Sequence, residues 1–282
     1  MRLFFLITCT MIAFAANSLL TRLAVETGHI DPNSFALIRV LAGAITLGGI
    51  VLIRGGRIRL FAPARVLGAS SLAAYMVGFS LAYLTLDAGL GALILFGVVQ
   101  MTMFAYGSVT GTQPTSRQLG GATLAFAGLL VALWPGEGGQ SDPTGAAFMI
   151  MAGLGWAAYT ISGRTSRDPL AATSANFILC LPLLTIMLIG FVTHASVLGW
   201  ALAIVCGGIT SGLGYALWYL VLPQLQGSIA AIVQLSVPNI ALLGGALFLG
   251  ETITPMIVLA TILVIAGIAI AITSRSSQAG RT

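Results

Sequence analysis

The sequence predicts an all-α membrane protein of ten transmembrane helices, folded as two inverted five-helix repeats. Three observations carry that expectation. Of 282 residues, 58% are hydrophobic and only 7% are charged, whereas an ordinary soluble chain has about 25% charged residues. The few charges interrupt apolar runs of about 18 to 23 residues, the length that crosses a bilayer as a helix. Segments of the first half also recur in the second.

Spans are expected at about 3–21, 34–53, 66–86, 90–110, 118–134, 144–162, 171–193, 197–220, 228–249 and 254–273. The first opens with Arg2 and an apolar run to Ala13-Phe14-Ala15, which imitates a secretory signal and its cleavage site. It reads instead as a helix of the fold, because residues 14–22, Phe-Ala-Ala-Asn-Ser-Leu-Leu-Thr-Arg, recur as Trp-Ala-Ala-Tyr-Thr-Ile-Ser-Gly-Arg at 156–164. A mid-chain copy cannot be a signal. Breakers and charges part the remaining spans in turn: Asp31-Pro32, then Arg54, Arg57, Arg59 and Arg65 around Pro63, then Asp87, then Pro114 with Arg117. Pro135 to Pro143, Arg167-Asp168-Pro169, His194, Pro223 to Gly227 and Gly250-Glu251 complete the series. None is long enough for a soluble domain.

Orientation follows from the arginines, since the chain has no lysine and cytoplasmic loops retain positive charge. Arg2, Arg54, Arg57, Arg59, Arg65, Arg117, Arg164, Arg167, Arg275 and Arg281 fall on one side; Arg22 alone falls on the other, with Arg39 inside the second span. Both termini are therefore expected in the cytoplasm of a bacterial-type inner membrane. Glu26, Asp31, Asp87, Glu137, Asp142 and Glu251 fall on the opposite side and only Asp168 with the arginines. The net charge of +5 is thus a topology signal, and nucleic-acid binding is excluded. Cys9, Cys180 and Cys206 lie in apolar runs and read as small buried hydrophobes; no metal site is expected.

The recurrence extends beyond the first span. Phe79 to Leu86 parallels Tyr215 to Leu222, Gly91 parallels Gly227, and Ala127-Gly128-Leu129 parallels Ala266-Gly267-Ile268. Each unit then holds five helices, over 1–137 and 138–282. Five is odd, so the second unit enters from the opposite side, and the halves are related by an axis in the membrane plane. Inverted repeats of this kind place a substrate near the bilayer centre and let the halves exchange conformations.

Trp218-Tyr219, Ser228-Ile229-Ala230-Ala231, Pro238, Phe248-Leu249-Gly250-Glu251 and Gly267 are similar to the signature of the EamA branch of the drug/metabolite transporter superfamily, and the ten-span layout resembles it throughout. The first half departs from that pattern, with Thr102 where the repeat would put a proline and Gln113-Pro114-Thr115 where a glutamate would lie. The resemblance implies a secondary transporter without cofactors, nearest to bacterial exporters of aromatic and other amino acids. Its partners would be a small-molecule substrate and membrane lipid, with no obligatory protein partner. A flippase for a lipid-linked or sugar-conjugate substrate and a small-solute channel are the rival readings.

Candidate lining residues come from helical spacing. Tyr75, Phe79 and Tyr83 share a face of the third span; Tyr215, Trp218 and Tyr219 share one of the eighth. Phe14, Asn17 and Ser18 match Trp156, Tyr159 and Thr160 at i, i+3 and i+4. Each set could instead be helix packing or an interfacial belt; Trp134 and Trp200, at span ends, fit the belt. Gln100, Gln234, Asn239 and Asn176 are amides in apolar surroundings, each needing a helix neighbour, water or substrate. Pro238 would free the carbonyl of Gln234 and Pro182 that of Ile178, making either a hinge or an acceptor. Arg39 would snorkel to the interface or face a cavity. Gly107-x-x-x-Gly111 and Gly208-x-x-x-Gly212 read as close helix packing.

Enzyme chemistry is not expected. A membrane aspartyl protease needs two facing aspartates, His29 and His194 lie in connectors, and neither a His-Glu-x-x-His nor a phosphate-binding loop with lysine occurs. In the inverted arrangement Phe79 and Tyr83 would guard the outer mouth, and Tyr215 and Tyr219 the inner one. Substrates would then be neutral or zwitterionic and largely apolar, and the missing membrane carboxylate points to uniport or exchange.

Overall fold

A computed structural model of the chain describes residues 1–110, 115–132, 134, 142–163, 166–187, 189, 193–225 and 233–273. Gly111, Gln113, Pro114, Pro135, Glu137, Arg164, Gly227 to Ala231, Arg275 and Arg281 lie outside the described residues.

Among the described residues there are ten helical spans and no strand. They are α1 (Arg2–Glu26), α2 (Pro32–Ile53), α3 (Pro63–Ala82), α4 (Ala88–Val109), α5 (Ser116–Ala132), α6 (Pro143–Gly163), α7 (Pro169–Met187), α8 (Val197–Gln224), α9 (Ser236–Leu249) and α10 (Pro255–Thr273). Seven of them are long and apolar enough to cross a membrane; α5, α9 and α10 are shorter in their described apolar lengths.

Asp-Pro pairs start three helices. Asp31 accepts a hydrogen bond from the Ser34 N–H at 2.9 Å, Asp142 from Gly145 at 2.8 Å and Asp168 from Ala171 at 3.0 Å. In each case the carboxylate satisfies a first-turn donor while proline occupies a position that has no intrahelical bond to lose. The Asp142 carboxyl is held below the usual carboxylate range by that Gly145 bond and then by the Thr85 hydroxyl. Ser196 caps α8 in the same way through Gly199.

Packing partners obey an exchange of the two halves. α3 lies along α6 and, correspondingly, α8 along α1; α2 meets α8 as α7 meets α3; α4 meets α6 as α9 meets α1. The pairs α2 with α7, α4 with α9 and α5 with α10 map onto themselves, so they lie on the pseudo-axis. Small residues let the central backbones touch. A Cβ on Gly155 of α6 would come within 2.8 Å of the Ser71 carbonyl and 2.9 Å of the Tyr75 nitrogen on α3.

Two helices depart from the regular spans expected. In α8, residues Cys206–Leu213 form a π-helical segment, the widened turn that recurs near functional sites. It presses against α2, where a Cβ on Gly212 would meet Thr46 Cβ at 2.9 Å. In the ninth span, Leu235 is a turn and the helix restarts at Ser236. Pro238 therefore occupies the first turn of α9, a correction to its expected mid-helix position. There its missing N–H breaks no intrahelical bond. Pro182 is inside α7 as expected.

Loops at the arginine-poor end are tied together. His194 N–H donates to Asp31 Oδ2 at 2.9 Å, Asp31 N–H to the His194 carbonyl at 2.9 Å and Ser196 N–H to the His29 carbonyl at 2.8 Å. The α1–α2 and α7–α8 connectors are thereby fixed to one another. Trp134 and Trp200 are exposed, at 64% and 48%, as interfacial rings would be.

Candidate functional site: an aromatic cleft between two closed ends

A cleft opens among the central helices, lined by Phe14, Asn17 and Ser18 of α1, Tyr75 and Phe79 of α3, Leu95 and Phe96 of α4, Trp156 of α6, Tyr215 of α8 and Gln234 before α9. Its walls stand nearly in contact: the free cavity is about 20 Å³, room for about one water, so a larger ligand enters only when the walls part. Both halves supply its walls.

Its rings form a continuous series. Tyr83 meets Phe79 edge-on at 4.8 Å, Phe79 meets Tyr75 at 5.3 Å and Tyr75 meets Trp156 at 5.0 Å. From Trp156 the series divides, to Tyr159 at 5.4 Å and to Tyr215 at 5.3 Å. Tyr215 then touches Phe14 at 5.7 Å, and Phe14 touches Trp218 at 6.0 Å. Offset and edge contacts of this kind are favourable beyond simple burial. The series runs from the arginine-poor end, where Tyr83 lies, to the arginine-rich end, where Tyr159 and Tyr219 lie.

At the arginine-poor end Arg22 draws together three carboxylates: Glu26 at 3.8 Å, Asp87 at 3.6 Å and Glu251 at 3.7 Å. It also donates to the Tyr83 carbonyl at 3.1 Å. Glu251 in turn accepts the Ala88 N–H with both oxygens, at 2.8 and 3.0 Å, and so caps α4 from a distant part of the chain. Gly250 makes this possible: its φ of 70° is a left-handed turn that a side chain would strain, and it sends the chain from Leu249 back toward α4. Burial pushes the pKa of Glu251 and of Asp87 above the ordinary carboxylate value, opposed by the Ala88 N–H in one case and by Arg22 in the other. Beneath this cluster Tyr83 is fully buried. A Cβ on Gly91 would stand 2.5 Å from its ring, so that glycine makes the room it occupies.

At the arginine-rich end hydroxyls link the helices. Tyr159 donates to Thr173 at 2.9 Å, and Thr173 shares a 2.8 Å bond with Tyr219, joining α6, α7 and α8.

A family model described as the EamA-like transporter family matches residues 143–273, and 42% of residues are identical to those of an uncharacterized protein of Pseudomonas aeruginosa across 99% of this chain and 98% of the relative. The chain belongs to the EamA-like transporter family. The stretch matched by the family model is the second half, which carries the signature residues. An uncharacterized transporter of Archaeoglobus fulgidus is 25% identical across 90% of the EamA chain and 94% of its own length. A solved crystal structure shares the fold, with a TM-score of 0.67 and 19% identity over 94% of this chain and 98% of that one.

Of the residues expected to line a site in this EamA protein, Phe14, Asn17, Ser18, Tyr75, Trp156 and Gln234 meet around the cleft, together with Phe79 and Tyr215. Four others lie outside its lining. Asn239 points its amide at the Leu235 carbonyl of its own segment, at 3.5 Å; Thr160 donates to Trp156, and Tyr159 turns to Thr173. Gln100 is half-buried on α4, away from the cleft. Asn17 is at the cleft but its carbonyl oxygen is already engaged: it accepts from Thr210 at 2.8 Å, Ser211 at 2.9 Å and Cys206 at 3.3 Å. It holds α1 to the π segment.

Arg39 does not snorkel. It is fully buried, donates to Ser211 at 3.0 Å and Tyr75 at 3.2 Å, and stands 4.9 Å from the Phe79 ring centre. Sequence reasoning missed the Arg22 cluster, Thr173 and the Thr210–Ser211 pair. A signal for the first was present: Arg22, Glu26, Asp87 and Glu251 fall at one end with opposite signs. Thr173 carried none, because a lone threonine in an apolar span looks like any other.

Proposed function

We propose that the protein is a secondary transporter of the bacterial-type inner membrane that exports small neutral or zwitterionic, largely apolar metabolites, in the first place aromatic and other hydrophobic amino acids. The observation that carries this reading is the central cleft, six of whose ten lining residues are aromatic: Phe14, Tyr75, Phe79, Phe96, Trp156 and Tyr215. Rings of this kind stack on an apolar or aromatic side chain and exclude water from it. Gln234 and Ser18 supply neutral polar contacts beside them.

Alternating access is the mechanism the two closed ends support. In it the ion cluster around Arg22 seals one mouth and the Tyr159–Thr173–Tyr219 bonds the other, and opening one requires the other to stay shut. Gates at both mouths argue against a channel. The cleft contains no carboxylate, which favours uniport or exchange over proton coupling, and the reading assigns the protein no catalytic step.

Purified protein reconstituted in liposomes preloaded with labelled L-phenylalanine tests the proposal. Efflux that saturates and accelerates with unlabelled phenylalanine outside is expected. Transport confined to phosphorylated or strongly charged solutes would overturn it.

A further inference from the structure

We infer that Arg39 is the receptor for the carboxylate of the transported molecule, and that Phe79 and Tyr75 hold its place until one arrives. This assignment rests on the transporter reading above and narrows it, from neutral or zwitterionic solutes to those that carry a carboxylate.

The argument begins with cost. Arg39 sits in α2 with 0% exposure, and a buried guanidinium is tolerated only when paired and hydrogen-bonded. Among the described residues every ion pair belongs to Arg22, so Arg39 has no carboxylate of the protein beside it. Its Nε donates to Ser211 and its Nη2 to Tyr75, but Nη1 is buried without a partner among those residues. What faces the guanidinium instead is two ring faces, Phe79 at 4.9 Å and Tyr75 at 5.6 Å. The negative face of a ring offers a cation partial compensation. A carboxylate offers more, with two oxygens matched to the guanidinium fork.

Both rings also line the cleft. The cation therefore stands one ring behind the cavity wall, and a swing of Phe79 exposes it. Phe79 is in turn the edge contact of Tyr83 at 4.8 Å. A carboxylate that displaces Phe79 from Arg39 disturbs the aromatic stack beneath the Arg22 cluster, so recognition and release of the arginine-poor gate become one event. The rest of the arginine's surroundings is fixed: Ser211, which accepts from it, donates its own hydrogen bond to Asn17, and the Arg39 backbone lies tight against Gly207 of the π segment.

Binding to the purified full-length protein is measured for three ligands of one size: L-phenylalanine, 3-phenylpropionate, which lacks the ammonium, and L-phenylalaninamide, which lacks the carboxylate. The two carboxylates are expected to bind the wild type roughly 30-fold or more tightly than the amide, the effect of losing one partner of a buried charge pair. Arg39→Gln should erase that ratio and Arg39→Lys should keep part of it. Phe79→Leu, which removes a competing ring face but leaves the cation, should raise it, and this variant serves if Arg39→Gln does not fold. An unchanged ratio in Arg39→Gln, or in Phe79→Leu where that stands in, would overturn the assignment, as would chloride alone displacing 3-phenylpropionate in the wild type. Failure of amino-acid efflux with the ratio intact would sink the transport proposal and leave the carboxylate receptor standing.

Discussion

Tyr83 and Tyr219 are repeat mates at opposite ends of the bundle, yet they are held by different chemistry. Tyr83 is sealed under an ion cluster in which one arginine serves three carboxylates, and one of those carboxylates caps a helix. Tyr219 is held by neutral hydroxyls, those of Thr173 and Tyr159. Ion pairs are screened by salt and a half-buried carboxylate responds to pH, whereas neutral hydroxyl bonds are insensitive to both near neutral pH. On the proposed alternating-access reading, paired halves would thus close their two mouths with unequal locks. The arginine-poor mouth would then depend on salt and pH in a way that the other would not.

The largest expected effect comes from removing the shared cation. Arg22→Ala leaves Glu26, Asp87 and Glu251 facing one another, with Glu251 only 9% exposed; stripping a partly buried charge of its partner costs about 2–4 kcal/mol, below the fully buried case because Arg22 itself touches solvent. A cysteine at Ser18 should then react with an impermeant thiol reagent from the arginine-poor side, with the arginine-rich side unaffected. Equal change on both sides would erase the distinction between the locks.

Gly91→Ala attacks the same mouth by volume. Its methyl group would stand 2.5 Å from the Tyr83 ring, and overpacking of that kind costs about 1–3 kcal/mol. A lower melting temperature together with labelling from the arginine-poor side is expected; an unchanged Tm would mean that the tyrosine is not confined. At the other mouth, Thr173→Val removes the hydroxyl that links Tyr159 to Tyr219. The loss should be smaller, about 1 kcal/mol, and should raise reactivity from the arginine-rich side alone.

Acid supplies the smallest and most selective perturbation. Glu251 has a raised pKa in this closed arrangement, so the arrangement binds a proton more readily than a state in which the carboxyl meets water. The closed form is therefore favoured by acid: the added stability is full below the ordinary value of 4.5 and is lost as pH rises through the raised one. Acidifying the arginine-poor side toward that range should slow labelling there, and Glu251→Gln should reduce the pH dependence to the part that Asp87 contributes.

Much of this was legible in the sequence because the bilayer imposes it. Helix number, repeat order and the central rings follow from apolar length and from spacing along helices, as Phe14 and Trp156 illustrate. What could not be read depends on side chains meeting across distant elements. Arg22 and Glu251 are far apart in sequence and each looks like an ordinary loop charge. Asn17 resembled a substrate ligand until Thr210 and Ser211 were found on its oxygen. The π segment of α8 escaped because its only trace, Gly207-Gly208 with Gly212, equally describes close packing.

The central claim, that equivalent tyrosines guard opposite mouths, is tested most directly by sided labelling of Tyr83→Ala and Tyr219→Ala in a background without Cys9, Cys180 and Cys206 and with a single cysteine at Ser18. The account predicts that Tyr83→Ala admits the impermeant reagent from the arginine-poor side and Tyr219→Ala from the arginine-rich side. Labelling from the same side in both, or from neither with folding intact, would contradict it.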